Sequence, residues 1–252
     1  MRITLTTDFG LRDGFVGAMK GVLAELAPSA SVIDLAHDLP RGDIAHGAWV
    51  VASSALEFPR GTVHVVVVDP GVGGARSGVI LEVAGHLFVG PDNGVFGYLQ
   101  VDQAWIIDEL AVRALRPSRT VSSTFHGRDI FAPVAGALAS GRAPSSLGSA
   151  GAVRGKLPWG PRPSGEGRVV HVDHFGNLVS DLPAAEAGAA IEIAGKHLAV
   201  LRTYEDVEPG ALLAYVGSMG TIEVAVRDGR ADARLSVARG ERVIPHAALV
   251  VG

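Results

Sequence analysis

The 252-residue sequence contains no cysteine. This excludes a disulfide framework, an iron–sulfur cluster and a thiolate zinc site, and a cytoplasmic location is the expectation. Charge is also scarce. Charged residues make up 19%, and 22 Lys+Arg against 26 Asp+Glu leave a net charge of −4 with no basic block, which argues against a nucleic-acid partner. No uninterrupted apolar run reaches the roughly 18 residues of a membrane span, and Met1-Arg2 leads straight into a strand pattern, so neither a secretory signal nor a membrane anchor is expected. What is abundant is apolar surface. Hydrophobic residues reach 48%, which excludes disorder as the dominant state and can furnish one or two cores. The 33 glycines are scattered rather than periodic and read as sharp bends, well above the usual ~7%.

Strand and helix signals alternate up to about residue 140. Ile3 to Thr6 alternates like a strand, and Asp13 is a suitable N-cap for an amphipathic helix carrying Phe15, Val16, Met19, Val22, Leu23 and Leu26, stopped by Pro28. Ser31 to Leu35 is a second strand. Asp43 can cap a helix through Ile44, Ala48, Val51 and Leu56 to Pro59. Val63 to Val68 is a β-branched run suited to a strand buried on both faces. Gly78 to Val83 and His86 to Val89 form two strands turning at Ala84-Gly85, and Arg128 to Ala139 a helix with Pro133 in its opening turns. Gly, Pro and Ser dominate 141–167; beyond it the pattern is all-β, with strands expected at 168–172, 189–193, 197–202, 212–216, 221–226 and 242–250. The reading is an α/β domain over 1–145 with a mixed, largely parallel sheet flanked by helices, a linker over 146–167, and a small barrel-like β domain over 168–252.

Five segments carry candidate chemistry. Thr7-Asp8-Phe9-Gly10 follows the first strand, where a carboxylate can grip vicinal hydroxyls. Asp69-Pro-Gly-Val-Gly-Gly-Ala-Arg76 follows the Val run; it lacks Gly-Lys-Ser/Thr and leads into a strand, so it is a poor phosphate loop, but it leaves an acid and a guanidinium seven residues apart. Phe125-His126-Gly127-Arg128-Asp129 brings an imidazole to a helix entrance, with Arg128 and Asp129 read as helix-start and surface charges. Asp8-Phe9-Gly10 and His126 to Asp129 mimic kinase motifs but in the wrong order, without a glycine loop. Asp173-His174-Phe175-Gly176-Asn177 gathers a carboxylate, an aromatic ring and an amide; His171 and His174 around Asp173 are also metal-capable. Tyr215 to Ala225 holds a Ser218 turn and Glu223, with Tyr204 and Asp206 just upstream.

In this order, TTDFG at 6–10, DPGVGGAR at 69–76, GPDNGV at 90–95, FHGRD at 125–129, DHFGN at 173–177 and GSMGTIEVA at 217–225 resemble the S-adenosylmethionine (SAM) hydroxide adenosyltransferases. These are the adenosine-forming SAM hydrolases, related to fluorinase and chlorinase. The resemblance implies an α/β domain followed by a β-barrel-like domain, in a homotrimer with sites between subunits. It implies a catalytic Asp69–Arg76–His126 set, Asp8 on the ribose, Asp173 at the methionine amino group, Asn177 on adenine, Phe175 and Tyr204 against the base, and Ser218, Glu223 and Val226 in the substrate-binding strand–turn–strand. SAM is then substrate and adenosine product, with no cofactor, metal, nucleic acid or membrane involved.

The halogenases of this superfamily carry Tyr and Thr where Asp69 and Val72 stand here, and Tyr–Ser where His126-Gly127 stands. Met219 replaces an Arg for the methionine carboxylate, and Gly42 an aromatic wall. The alternatives are a chlorinase, a metal-dependent phosphoesterase built on Asp8, Asp69, His126 and Asp173, and a non-catalytic adenosine or SAM sensor.

Overall fold

A computed structural model describes residues 1–246, which fall into two compact units, Met1–Pro158 and Trp159 onward. In the first, β1 (Arg2–Thr7), α1 (Phe15–Leu26), β2 (Ser31–Ala36), α2 (Ile44–Ser54), β3 (Val63–Val67), β4 (Gly78–Val83), β5 (His86–Pro91), β6 (Gln103–Ile107), α3 (Glu109–Leu115), α4 (Ala132–Ala139) and β7 (Gly148–Ala150) follow in order. The sheet runs β2-β1-β3-β5-β4-β6-β7. It is mixed: β2, β1, β3 and β5 pair in parallel, and β4, β6 and β7 continue antiparallel.

Strand alternation divides the Val run between two cores. Val63, Val65 and Val67 join Ile3, Leu5, Met19, Leu23 and Phe131 on one face, while Val66 and Val68 join Val51, Leu81, Phe88 and Phe96 on the other. The β4–β5 hairpin turns at Ala84-Gly85, both at positive φ (50° and 81°), as a two-residue loop between right-twisted strands requires. Asp43 caps α2 by accepting the His46 amide at 3.0 Å. Asp13 does not cap α1: Gly14 holds that position without a side-chain bond, and the helix opens one residue later than expected. The expected helix from Arg128 opens instead as a π-turn over Gly127–Phe131 before α4. Ala132 N–H reaches back five residues to Gly127 O, and Pro133 has no N–H with which to tighten the coil.

The Gly/Pro/Ser-rich stretch read as a linker is divided between the units. Gly148–Ala150 pairs with β6, and the Arg154 and Gly155 amides donate to Asp92. On the other side, the Trp159 and Gly160 carbonyls accept from Arg168. The second unit is a closed seven-stranded barrel ordered β10-β11-β12-β13-β9-β8-β14. Its elements are β8 (Gly167–Val172), β9 (Leu178–Pro183), α5 (Ala184–Ala187), β10 (Ala190–Ile193), β11 (Lys196–Leu201), β12 (Leu212–Val216), β13 (Thr221–Val226), α6 (Ala231–Leu235) and β14 (Arg242–His246). Its interior is Val169, Leu178, Leu182, Ile191, Ile193, Ala214, Ile222, Val224 and Val243. Part of the strand expected at 242–250 lies outside the described residues. Among the described residues, no helix is long and apolar enough to cross a membrane.

One buried polar feature of the first unit makes its stability depend on pH. His64 on β3 is 1% exposed and stacks on Phe88. Its Nδ1 meets the Thr4 hydroxyl at 2.8 Å and its Nε2 meets His86 Nδ1 at 3.2 Å. Burial, with the charge of His86 adding, pushes His64 from 6.5 down to about 3. The unfolded chain therefore binds a proton between those values that the folded chain refuses, and stability rises with pH through that window. The fold should lose stability as pH falls from about 6.5 toward 3, with this group adding a slope approaching ~1.4 kcal/mol per pH unit. Denaturant titrations of wild type and His64→Gln across this range check it; an unchanged slope in the variant would contradict the assignment.

Candidate active site

Parallel strands deliver their following residues to one end of the sheet. β1 and β3 are adjacent, with Thr7 opposite Val67, so Asp8 and Asp69 both emerge at the carboxyl edge, where open α/β sheets bind ligands. Asp8 Oδ2 accepts the Gly42 amide at 2.7 Å. Gly42 has φ +69°, and a Cβ there would touch Pro70. The Asp8 carboxylate is thus tied to the Gly42 turn, which lies beside Pro70, and a larger residue at 42 would be strained. The Asn93 side-chain amide donates to the Val68 carbonyl at 2.9 Å, fixing the end of β3 from the loop after β5.

The acid, guanidinium and imidazole expected from two separate loops meet. Arg76 Nε donates to both Asp69 oxygens at 3.0 Å, and Arg76 Nη2 donates both to Asp69 Oδ2 and, at 2.7 Å, to His126 Nδ1. The Asp69 and Arg76 side chains are 4% and 12% exposed. Arg76 also lies over the Phe131 ring at 5.4 Å. A guanidinium has only donors, so His126 Nδ1 must be the acceptor, and the proton of the neutral imidazole sits on Nε2. Burial holds His126 below its ordinary value and the Arg76 charge reinforces this, with Asp69, Glu109 and Asp129 opposing.

Asp129, expected as a surface charge, is buried. It takes a two-pronged bond from Arg128 at 2.7 and 2.8 Å and accepts the Ser122 amide at 2.9 Å. Those bonds hold the loop leading to His126, and the π-turn begins at the next residue. Widened turns of this kind recur at functional sites.

In the barrel unit, the DHFGN segment is the β8–β9 turn. Asp173 Oδ1 accepts the Asn177 amide and Oδ2 accepts Asn177 Nδ2, both at 2.8 Å. From Asn177 the hydrogen bonds run through the Tyr204 hydroxyl (3.2 Å) and the Tyr215 hydroxyl (2.7 Å) to Glu223 Oε2 (2.6 Å). Phe175, Asn177, Tyr204 and Val226 line one cavity of about 410 Å³, with Asp228 and Gly229. Phe175 is 71% exposed, so a large aromatic face is open. Glu223 lies over Gly217, where a Cβ would sit 1.9 Å from its Oε1; only glycine leaves room for that carboxylate. Burial raises the Glu223 carboxyl, the Asp173 charge adds to this, and the Tyr215 hydroxyl opposes it. Tyr215 is raised by burial and by its bond to Glu223.

Ser218 does not join this network. It is exposed in the turn between β12 and β13, with no side-chain hydrogen bond among the described residues. Tyr215 is the member that sequence reasoning missed; its position opposite Glu223 across the β12–β13 pair is the signal that could have found it. His171, buried on β8, and His174, exposed in the turn, do not form a metal-capable group with Asp173.

An α/β unit with an acid–guanidinium–imidazole set at its carboxyl edge, joined in sequence to a barrel with an aromatic and amide-lined cavity, is the architecture of a nucleoside-handling enzyme. Models of the SAM hydroxide adenosyltransferase N-terminal and C-terminal domains match residues 3–148 and 167–244, and the chain belongs to that family. It is 44% identical to an (R)-S-adenosyl-L-methionine hydrolase of Salinispora arenicola (96% of each chain) and 40% identical to that of Thermus thermophilus (93% and 95%). A fluorinase of Actinoplanes is a more distant relative at 24% over 71% of each chain. A crystal structure of an uncharacterized conserved protein from Thermotoga maritima superposes with a TM-score of 0.85 at 33% identity, covering 97% of this chain and 99% of that one.

The Tyr215 hydroxyl donates to the carboxylate and so favours its charged form. Tyr215→Phe is expected to push the Glu223 titration midpoint further up, read by ¹³C NMR of the carboxyl carbon. A midpoint that stays or falls would refute the hydrogen-bond chain.

Proposed function

We propose that this chain hydrolyses SAM to adenosine and L-methionine by attack of an activated water on the ribose 5′ carbon. The observation that carries this reading is the fork by which Arg76 holds Asp69 and His126 together at the sheet edge. The sulfonium is already a good leaving group, so the site has to supply a nucleophile. Asp69 keeps lone-pair capacity beyond its three bonds from Arg76 and accepts the water proton, while the His126 Nε2–H donates to the same water and orients it. Arg76 stabilises the anionic character that develops on the oxygen. Alignment contributes as well, since oriented reactants are worth up to about 7–11 kcal/mol.

On this reading Asp8, with Oδ1 free of the Gly42 bond, grips the ribose hydroxyls. Phe175 and Tyr204 take the base between aromatic faces, Val226 packs on its edge, and Asn177 accepts from the adenine amino group through Oδ1, since its Nδ2 is engaged. Asp173 orients Asn177 and, with Glu223, supplies negative charge for the methionine ammonium, with Ser218 at the turn beside it. A homotrimer with sites shared between subunits belongs to this reading through the family resemblance. Two features weigh against the alternatives. Asp69 presents lone pairs that a water O–H satisfies and a halide cannot. A phosphoesterase metal at Asp69 would stand beside the Arg76 guanidinium already bonded to that carboxylate and be repelled by its charge.

Turnover in oxygen-18 water should put the label in the adenosine 5′ hydroxyl and none in methionine. Asp69→Asn should bind SAM yet lose at least about 100-fold in kcat. Label in methionine, or full turnover by the variant, would refute the reading. The pH dependence follows from His126, whose neutral form is favoured below the ordinary 6.5. The constellation should stay intact at pH 6.5 and above and break only at lower pH, when protonation places an N–H on Nδ1 against Arg76. An NMR titration of the His126 ring with a midpoint at or above 6.5 would contradict this.

A further inference from the structure

Outside the substrate site, the barrel carries a cluster with different chemistry. Glu192 on β10 and His197 on β11 are direct cross-strand partners. His246 on β14 lies two residues from Ile244, the partner of Glu192 on the other side. Strand alternation puts all three on one face, away from the core face of Ile191, Ile193 and Val243. His246 Nε2 is 3.3 Å and His197 Nε2 3.8 Å from the same oxygen, Glu192 Oε2. One donor atom from each residue lies within 4.8 Å of the others.

We propose that these three residues form a divalent transition-metal site, with Zn²⁺ the ion the donors suit best. Zinc binds imidazole at about 2.0–2.1 Å and carboxylate at about 2.0–2.2 Å, so tetrahedral ligand atoms stand roughly 3.3–3.5 Å apart. Two of the three edges already have that size to within about half an ångström. The third closes by rotating the His197 and His246 rings, whose side chains are 49% and 36% exposed, so no core atom has to move. Two imidazoles exclude Mg²⁺ and Ca²⁺, which take oxygen ligands. The fourth position is left to water.

The placement also suggests what the ion does. The β14–β10 pairing, at Glu192–Ile244, Ile191–Pro245 and Ala190–His246, closes the barrel. A metal bridging β14, β10 and β11 clips that seam, and an ion that binds the folded chain alone stabilises it. The role is structural and independent of SAM hydrolysis.

The test is zinc titration of the full-length, chelator-stripped protein by calorimetry, with thermal denaturation alongside. Saturable binding of one Zn²⁺ per chain with a raised Tm is expected. His197→Ala and Glu192→Gln, at partly exposed positions, should each weaken binding about tenfold or more and abolish the Tm shift, while His174→Ala should do neither. No saturable binding in wild type, equal affinity in His197→Ala and Glu192→Gln, or a matching loss in His174→Ala would overturn the proposal.

Discussion

A single guanidinium organises the first unit's site. Arg76 can only donate, and its donors are divided between a carboxylate on its own loop and an imidazole fifty residues away. That one-sidedness fixes the protonation pattern of the whole set: Asp69 is an acceptor throughout, His126 Nδ1 is an acceptor, and His126 Nε2 carries the proton outward. A lysine could supply the charge but not the planar fork that reaches both partners. The pair is also buried, and removing one member of a buried ion pair costs about 3–5 kcal/mol. Arg76 therefore holds the fold through the same bonds that the proposed chemistry uses.

The barrel handles buried charge differently. Among the described residues no guanidinium is bonded to Glu223; a chain of hydroxyls and an amide links it to Asp173. Two carboxylates are joined through Tyr215, Tyr204 and Asn177, each link of the chain a hydrogen bond. In the first unit the carboxylate is neutralised by a guanidinium, which on the proposed reading prepares it to activate a water. In the second, on the proposed reading, the two carboxylates are placed where an ammonium can be held.

Much of this was legible in the sequence because the relevant signals are local. The Val63–Val68 run, the Ala84-Gly85 turn and the Asp43 cap are each readable within a few residues, and the Asp69 turn and His126 entrance stand beside them as chemistry-bearing punctuation. The illegible parts depend on partners distant in the chain. β6 and its edge neighbour β7 belong to a sheet whose order is not sequential, and Gly148-Ser149-Ala150 has no strand propensity to announce it. β9 carries a buried Ser180 where periodicity expects an apolar residue; its hydroxyl donates to Ile222 O. Asp129 read as a surface charge because its partner amide, Ser122, is fixed only by the loop's path. Glu192 and His246 are 54 residues apart, so no ligand-spacing rule could have joined them.

On the proposed reading, the charge of the site also explains why water fits it better than a halide. Asp69 and Arg76 cancel, and His126 is held neutral by burial, so the constellation carries no net charge to offer an anion. It offers direction: one acceptor on Asp69 and one donor on His126 Nε2, the complement of a water molecule that has a proton to give and a lone pair to be anchored. A halide needs donors on every side and has no proton to surrender, so the lone pairs of Asp69 would face it unsatisfied. In the proposed reaction the attacking oxygen becomes anionic only as its proton moves to Asp69, and at that moment the Arg76 charge is already in place beside it. Discrimination between the two nucleophiles thus rests on hydrogen-bond polarity around a neutral centre, set by which atoms Arg76 leaves free.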